Sequence, residues 1–87
     1  MTMIERVSIV DGEPGYTQYT NARKNNQIVT VTLDGKPQPT ATAADAAKGW
    51  VRRAVINIDG DFATDGDEFL YEVVRGDVII EVGEGAA

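Results

Sequence analysis

Residues 27–35 read Gln-Ile-Val-Thr-Val-Thr-Leu-Asp-Gly, and this stretch decides the class of fold. β-branched residues dominate it and alternate along the chain, which favours a strand over a helix. The side chains that alternate onto one face are Val29, Val31 and Leu33. Asp34-Gly35 then forms a hairpin-type turn signal. The stretch therefore predicts a mainly β protein built from antiparallel hairpins.

Length and composition limit the protein to a single domain over residues 1–87 with a small core. The chain has 87 residues and contains neither cysteine nor histidine. Disulfides, thiolate metal sites and thiol catalysis are therefore excluded, and the commonest general base is missing. A chain this short buries only about 60% of its unfolded surface, so self-association or docking on a partner is a favoured source of further stability.

Catalytic chemistry finds little support in the remaining residue types. Asp65, Asp67 and Glu68 are close in sequence, but nothing marks them as desolvated, and Ser8 is the only serine. A domain of this size also leaves little volume for a substrate cavity. We therefore expect a protein that is not an enzyme, with no catalytic residue, no cofactor and no metal site.

Charge is unevenly distributed along the chain. Residues 1–58 carry seven basic groups against five acidic ones (+2), whereas residues 59–87 carry one against nine (−8), which sums to the net charge of −6. The acidic part repels phosphate backbones, so direct nucleic-acid binding is not expected. It suits a basic protein surface, and Asp65, Asp67 and Glu68 are its candidate partner-binding residues.

Residues 11–26 are polar and predict a loop or arm. Rigid tyrosines among adaptable polar groups and basic side chains are typical of protein-contact surfaces. The candidate partner-binding residues here are Tyr16, Tyr19, Arg23 and Lys24. The alternative is that the two tyrosines fold back to cover the core.

Residues 40–58 fit either of two structures. As a helix over about 42–54, Thr42 would be the N-cap ahead of an apolar stripe, although Gly49 disfavours it. As a hairpin, residues 45–49 form the turn, with Gly49 in a left-handed conformation. Periodicity alone slightly favours the helix. In either case Trp50, the only tryptophan, is expected at the centre of the core.

Strands are also expected near both ends of the chain. Residues 4–10 alternate in part, with Val7 and Ile9 on one face. Residues 69–74 and 78–82 alternate and predict a hairpin that turns at Gly76-Asp77. Arg75-Gly76-Asp77 is then only the turn of that hairpin, although this tripeptide is associated with integrin binding. Residues 83–87 are predicted to be a short flexible tail.

The spacing of oxygen donors in residues 57–68 resembles an EF-hand calcium loop. The loop fails two requirements, because Phe62 stands where the turn glycine is needed and Asn57 occupies the first position. The helices that flank an EF-hand are also not indicated. An acidic connecting loop with two glycine turns is the simpler interpretation.

Turn motifs in the last two-thirds of the chain resemble those of short uncharacterised reading frames of tailed phages. The motifs are Leu33-Asp34-Gly35, Ala44-Asp45, Gly49-Trp50-Val51, Asp59-Gly60, Gly66-Asp67-Glu68 and Gly76-Asp77-Val78. In those proteins the tryptophan follows a turn glycine and opens a strand, which favours the hairpin at residues 45–49. The resemblance implies a phage origin and an accessory role without catalysis, and it carries no functional residues. Residues 1–26 take no part in it.

The expected fold is a mainly β, single-domain sandwich or barrel-like sheet of hairpins, with an α+β fold containing one helix at about 42–54 as the alternative. The expected function is that of a phage structural accessory protein, such as a capsid decoration or other virion component. Such a protein would bind a phage structural protein, and a homo-oligomer is compatible with this role. A small acidic inhibitor that blocks a basic groove of a host nucleic-acid-handling or defence complex is the alternative. Without a signal peptide or an apolar span, neither secretion nor membrane insertion is expected, and the protein would act in the host cytoplasm or the virion.

Overall fold

The computed structural model describes residues 2–84, which form two antiparallel four-stranded sheets, a two-stranded hairpin and one helix. Sheet A has the spatial order β1 (Thr2–Ile4), β10 (Val78–Glu84), β3 (Gln27–Leu33) and β4 (Lys36–Pro37). Sheet B has the order β2 (Arg6–Ser8), β5 (Ala41–Asp45), β6 (Trp50–Ala54) and β9 (Tyr71–Arg75). The remaining elements are the hairpin of β7 (Thr64–Asp65) with β8 (Glu68–Phe69), and helix α1 (Tyr16–Lys24).

The core lies between the two sheets and consists of small aliphatic side chains from both. Its buried members are Val7, Val31, Ala44, Val51, Val78 and Ile80. Strand accounts for 52% of the described residues, so the predicted mainly β class is confirmed. Residues 2–84 form no closed barrel, and the architecture is that of a small sandwich.

The prediction for residues 27–35 is confirmed. Val31 is buried, with Val29 and Leu33 packed against the same core, whereas Ile28 and Thr30 are exposed. Asp34 and Gly35 both have positive φ, as a two-residue hairpin turn requires, and they join β3 to β4. The alternation along the strand therefore separated the side chains of the inward face from those of the outward face.

The hairpin over residues 41–54 is confirmed, and the alternative helix at about 42–54 is wrong. β5 and β6 pair antiparallel, with Asp45 opposite Trp50. The turn is held by the Lys48 N–H, which donates to the Asp45 Oδ1 at 2.9 Å, and by Gly49, whose φ is 70°. A left-handed residue at this point ends any helix and suits glycine, which has no Cβ.

Trp50 is not at the centre of the core, contrary to the expectation from its size. It is half-buried on the outer face of sheet B, the same face as Arg52, because alternate residues of a strand point to the same side. The inward position between them belongs to Val51, which is fully buried.

The predicted hairpin between residues 69–74 and 78–82 is wrong. β9 pairs with β6 in sheet B, whereas β10 pairs with β3 and β1 in sheet A. Residues 75–77 connect the two sheets. The Gly76 N–H donates to the Gly49 carbonyl at 3.1 Å, and the Asp77 N–H donates to the Asp34 Oδ1 at 2.8 Å. Val78, Ile80 and Val82 are buried as expected, because β10 occupies the middle of its sheet.

The predictions for the two ends of the chain need smaller corrections. The strand expected over residues 4–10 is divided at Glu5 into β1 and β2, which belong to different sheets, and Ile9 lies beyond β2 and is exposed. The flexible tail predicted for residues 83–87 is wrong at 83 and 84, which continue β10 and pair with β3. Its last three positions, 85–87, lie outside the described residues.

The predicted polar loop or arm at residues 11–26 contains helix α1. Tyr19 and Ala22, three positions apart, face the body of the protein: Ala22 is buried and Tyr19 packs against the core. Arg23 and Lys24 occupy the last turn, where cations interact favourably with the helix dipole. The helix has only nine residues, and so short a segment shows little periodicity beside its many polar side chains.

Gly15 sets the position of α1 against sheet B. Its φ is 97°, and a Cβ at this position would lie 2.6 Å from the backbone N and Cα of Val7 in β2. No flexible side chain is available to move aside. We expect Gly15→Ala to lower the free energy of unfolding by about 3 kcal/mol or more, since backbone strain and a backbone clash add. Chemical denaturation monitored by circular dichroism measures this.

Gly12→Ala is the matched control for that substitution. Gly12 has a similar φ of 86°, but nothing lies within 4 Å of its Cβ position. Only the left-handed backbone strain of about 1–2 kcal/mol is expected there. Equal losses in the two variants would contradict the close approach of Gly15 to β2.

Candidate functional site

The aromatic side chains lie outside the core. The chain has one tryptophan, three tyrosines and two phenylalanines, and none of them is among the buried residues. The space between the sheets is filled by valine, alanine and isoleucine, which leaves no room for large rings. Exposed aromatic residues supply much of the binding energy at protein interfaces, so their placement locates the candidate site.

From here on we call residues 55–70 the arm; this segment is separate from the polar stretch at residues 11–26. It leaves sheet B after β6 and returns to it as β9. The base of the arm is held by three backbone hydrogen bonds: Val55 N–H to the Leu70 carbonyl (3.0 Å), Leu70 N–H to Ala63 (2.9 Å) and Ala63 N–H to Val55 (2.8 Å). Phe62 and Phe69 meet edge to face across the arm, with ring centroids 5.8 Å apart. The arm therefore has a defined conformation and not that of an open loop.

The arm and sheet B enclose an apolar depression of about 320 Å³. We call the side chains around it the arm surface: Ile9, Pro39, Phe62, Phe69 and Tyr71. All five are exposed, and the four large side chains among them are each about half exposed. A contiguous exposed apolar surface of this kind marks an interaction site more often than scattered apolar residues do.

A second apolar cavity, of about 370 Å³, adjoins the first. The two share Ile9, Pro39, Ala41 and Thr42, so they are neighbours, and we call the pair of cavities the groove; Tyr19 of α1 lines one of them and Phe69 of the arm lines the other. No charged side chain lines either cavity. The groove offers apolar contact and hydroxyl or amide hydrogen bonds.

The arm also carries a dense set of carboxylates. They belong to Asp59, Asp61, Asp65, Asp67 and Glu68. Within residues 2–84 the ion pairs are Arg52–Glu13 and Arg53–Glu72, so none of these carboxylates is paired with a cation there. The arm therefore presents phenylalanine rings and unpaired negative charge on one element.

The side-chain amide of Asn57 orders the backbone of residues 57–68, the segment whose spacing resembles an EF-hand loop. The Asn57 Oδ1 accepts hydrogen bonds from the backbone N–H groups of Asp59 (3.0 Å) and Asp61 (3.1 Å). An oxygen that already accepts two N–H groups has lost much of its capacity to bind a cation. No cluster of three or more acidic, histidine or cysteine side chains in residues 2–84 is arranged to hold a metal ion.

An ion pair with two additional hydrogen bonds fixes the loop that follows β2, and Ile9 of this loop lines the groove. Arg52 binds Glu13 through two N–H donors, at 2.8 and 3.0 Å, while its Nε donates to the Thr42 Oγ1 at 2.9 Å. The Ser8 hydroxyl donates to the same Glu13 carboxylate at 2.6 Å. Hydrogen bonds from Arg52 and then Ser8 lower the pKa of Glu13 from 4.5 to about 2. The Arg52 guanidinium also lies 5.9 Å from the centre of the Tyr71 ring.

The partner-binding residues predicted from the sequence fall on two separate elements. Tyr16, Tyr19, Arg23 and Lys24 lie on α1, which packs against β2 and β3. Within this group, Arg23 Nη1 donates to the Tyr19 hydroxyl at 3.0 Å, and the Tyr19 ring covers the core at one end of the groove. The interpretation that the tyrosines cover the core therefore holds for Tyr19.

The other predicted group, Asp65, Asp67 and Glu68, lies at the tip of the arm and is fully accessible. The groove between the two groups was not predicted. Phe69 and Tyr71 were placed in a hairpin that the structure does not contain, and Ile9 was placed on a strand face shared with Val7. One signal was available in the sequence: Phe62 and Phe69 lie on either side of the turn signal Asp65-Gly66-Asp67, so a hairpin there would bring the segments that carry these rings close together.

The ion pair of Glu13 makes stability depend on pH in a defined direction. Because the folded pKa of Glu13 lies below its unfolded value of 4.5, its contribution is present above pH 4.5 and is lost as pH falls toward about 2. We expect Glu13→Gln to lower the melting temperature at pH 7 relative to the wild type. The gap should close as pH falls through that window. A gap that stays constant down to pH 2 would contradict the assignment.

No helix within residues 2–84 is long and apolar enough to cross a membrane. Comparison of the chain with family models, curated proteins and solved structures finds no match. The case for a function therefore rests on the groove, the arm and the turn motifs of the chain itself.

Proposed function

We propose that this protein is a non-enzymatic accessory component of a phage particle and acts by binding another protein through the arm surface. The observation that carries the proposal is the apolar depression bordered by Ile9, Phe62, Phe69 and Tyr71, with the arm carboxylates beside it. The partner that fits is a virion protein with apolar side chains flanked by lysine or arginine. Its apolar groups would fill the depression and its cations would face the arm.

Energetics favour this surface over the other exposed parts of the molecule. Phenylalanine and tyrosine bury large areas at little cost in side-chain entropy, and such rings dominate the binding energy of interfaces. The arm is already ordered by its backbone hydrogen bonds and by the contact of Phe62 with Phe69. A preorganised surface loses less conformational entropy when it binds.

The phage assignment is supported by the turn motifs between Leu33 and Val78, which resemble those of tailed-phage reading frames. The non-enzymatic role is supported by the groove, whose lining among residues 2–84 includes no carboxylate, amine or guanidinium group. The one strongly shifted carboxyl pKa, that of Glu13, is explained by its ion pair with Arg52 and its bond from Ser8. Such a group stabilises the fold and is held away from acid–base chemistry near neutral pH.

Quantitative mass spectrometry of purified particles of the phage that encodes this chain tests the proposal. We expect the protein in a stoichiometric ratio to a capsid or tail protein. The double substitution Phe62→Ser/Phe69→Ser should reduce its incorporation at least tenfold, because it removes both rings from the arm surface. Particles that lack the wild-type protein would overturn the proposal.

A matched control separates binding from folding in that experiment. Ile28 is 52% exposed and Phe69 is 55% exposed, but Ile28 lies on the outer face of sheet A. We expect Ile28→Ser to be incorporated like the wild type. If Ile28→Ser and the phenylalanine variant lose incorporation equally while both remain folded by circular dichroism, the arm surface is not the binding site.

The unpaired carboxylates of the arm favour one second candidate, an inhibitor that occupies a basic groove of a host nucleic-acid-handling or defence complex. In that case charge, and not the phenylalanine rings, supplies most of the affinity. Asp65→Asn/Asp67→Asn/Glu68→Gln should then abolish binding to the host complex and flatten the salt dependence seen for the wild type. Affinity that is unchanged in this variant removes the inhibitor from consideration.

A further inference from the structure

The four sheet edges of this protein differ in how well they are protected from further strand pairing. β1 and β2 have three residues each, and α1 packs against β2. β4 has two residues, one of them Pro37. Short edge strands, proline and a covering helix all block pairing with another chain. β9 has five residues, no proline and mostly exposed side chains, so it is the one long edge without such protection in residues 2–84.

The backbone of β9 is set for a further strand. At its two ends, the Gly76 N–H donates to Gly49 at 3.1 Å and the Leu70 carbonyl accepts from Val55 at 3.0 Å, so even-numbered residues face β6. Polar groups alternate along an antiparallel strand. The N–H and carbonyl groups of Tyr71, Val73 and Arg75 therefore point away from β6, where the described residues supply no partner strand.

We propose that β9 pairs antiparallel with β9 of a second copy of this chain, about a twofold axis at Val73. In that register Val73 faces Val73 of the partner subunit, and Tyr71 faces the partner's Arg75. These positions carry the free N–H and carbonyl groups, so the pairing forms about six backbone hydrogen bonds between the copies. The two B sheets join into one continuous sheet with an isologous interface.

Side-chain chemistry selects this register over its neighbours. Arg75 lies opposite an aromatic ring on each side of the axis, an arrangement that favours cation–π contact. Glu72 faces the partner's Val74 and keeps its bond from Arg53 Nε at 2.7 Å. If the twofold axis passes through residue 72 instead, Glu72 faces Glu72 of the partner subunit, and like charges directly opposite are unfavourable. If the axis passes through Val74, fewer residues of the two β9 strands overlap, and Arg75 no longer faces Tyr71.

Tyr71 is the one residue that the pairing shares with the arm surface, and the pairing needs no virion partner. Its contact area is limited by the five residues of β9 and falls below the roughly 1,200 Å² of standard interfaces, so association should be weak, with a Kd on the order of 100 μM. Sedimentation velocity of the full chain from about 10 μM to about 1 mM tests it. We expect a monomer at the low end and a dimer at the high end.

Two substitutions at Val73, with one control at Ile28, test whether β9 is the edge that pairs. Val73 is 55% exposed, so Val73→Lys leaves the core intact but sets two ammonium groups against each other, and we expect at least tenfold weaker dimerisation. Val73→Pro removes an N–H that the monomer does not use and should have the same effect. Ile28→Lys, at 52% exposure in sheet A, should dimerise like the wild type. Circular dichroism confirms that each variant is folded.

A single cysteine reports the register, since the natural chain has none. Facing residues in a hydrogen-bonded pair have Cα atoms about 5.5 Å apart, which a disulfide can span. Mild oxidation of Val73→Cys should therefore give a covalent dimer, and Ile28→Cys should stay monomeric. Absence of a dimer at 1 mM, a dimer unaffected by both Val73 substitutions, or cross-linking through Ile28→Cys alone would each overturn the proposal.

Discussion

The thin aliphatic layer between the two sheets is the constraint on which the rest of the molecule depends. Val51 and Ile80 are its most buried side chains, and alanine and valine supply most of the remainder. Small side chains let the sheets approach closely but bury little apolar area each, so the core contributes limited stability. None of the aromatic side chains is among the buried residues: Tyr19 covers one end of the layer, and Phe62, Phe69 and Tyr71 border the arm surface.

Limited core stability explains why peripheral segments are fixed by specific polar contacts. The loop after β2 is held by the bidentate bond between Arg52 and Glu13, and α1 is seated by the close approach of Gly15 to Val7. The arm is held by backbone hydrogen bonds at its base. Each of these contacts positions a wall of the groove, so the geometry of the candidate site and the stability of the fold have the same determinants.

Local sequence signals predicted local structure well and sheet membership poorly. Alternation found the inward face of β3, and turn residues found the hairpins at Asp34-Gly35 and at residues 45–49. Alternation cannot show which strand lies beside which, because consecutive strands in a chain pair only about two-thirds of the time. β9 and β10 are consecutive strands that do not pair, because β10, which is buried at Val78, Ile80 and Val82, lies in the middle of sheet A.

The candidate site was predicted only in part for the same reason. The charge and accessibility of Asp65, Asp67 and Glu68 follow from composition, and the tyrosines of α1 were recognised as candidates. The exposure of Phe69 and Tyr71 depends on which strand face meets the opposite sheet, and this is a property of the whole sandwich. Helix α1 was missed because its inward face, at Tyr19 and Ala22, is narrower than the stripe by which amphipathic helices are recognised.

The position of β10 has a consequence for the order of events in folding. This strand follows every other element in the chain, yet it lies between β1 and β3 and joins residues 2–4 to residues 80–82. Contacts between such distant segments require large loops to close, which slows the acquisition of native structure. A nascent chain that lacks β10 would leave two unsatisfied strands exposed to neighbouring polypeptides until synthesis passes residue 84. The architecture can therefore be completed only after β10 has been made, which is later than in sandwiches whose central strands come first in the chain.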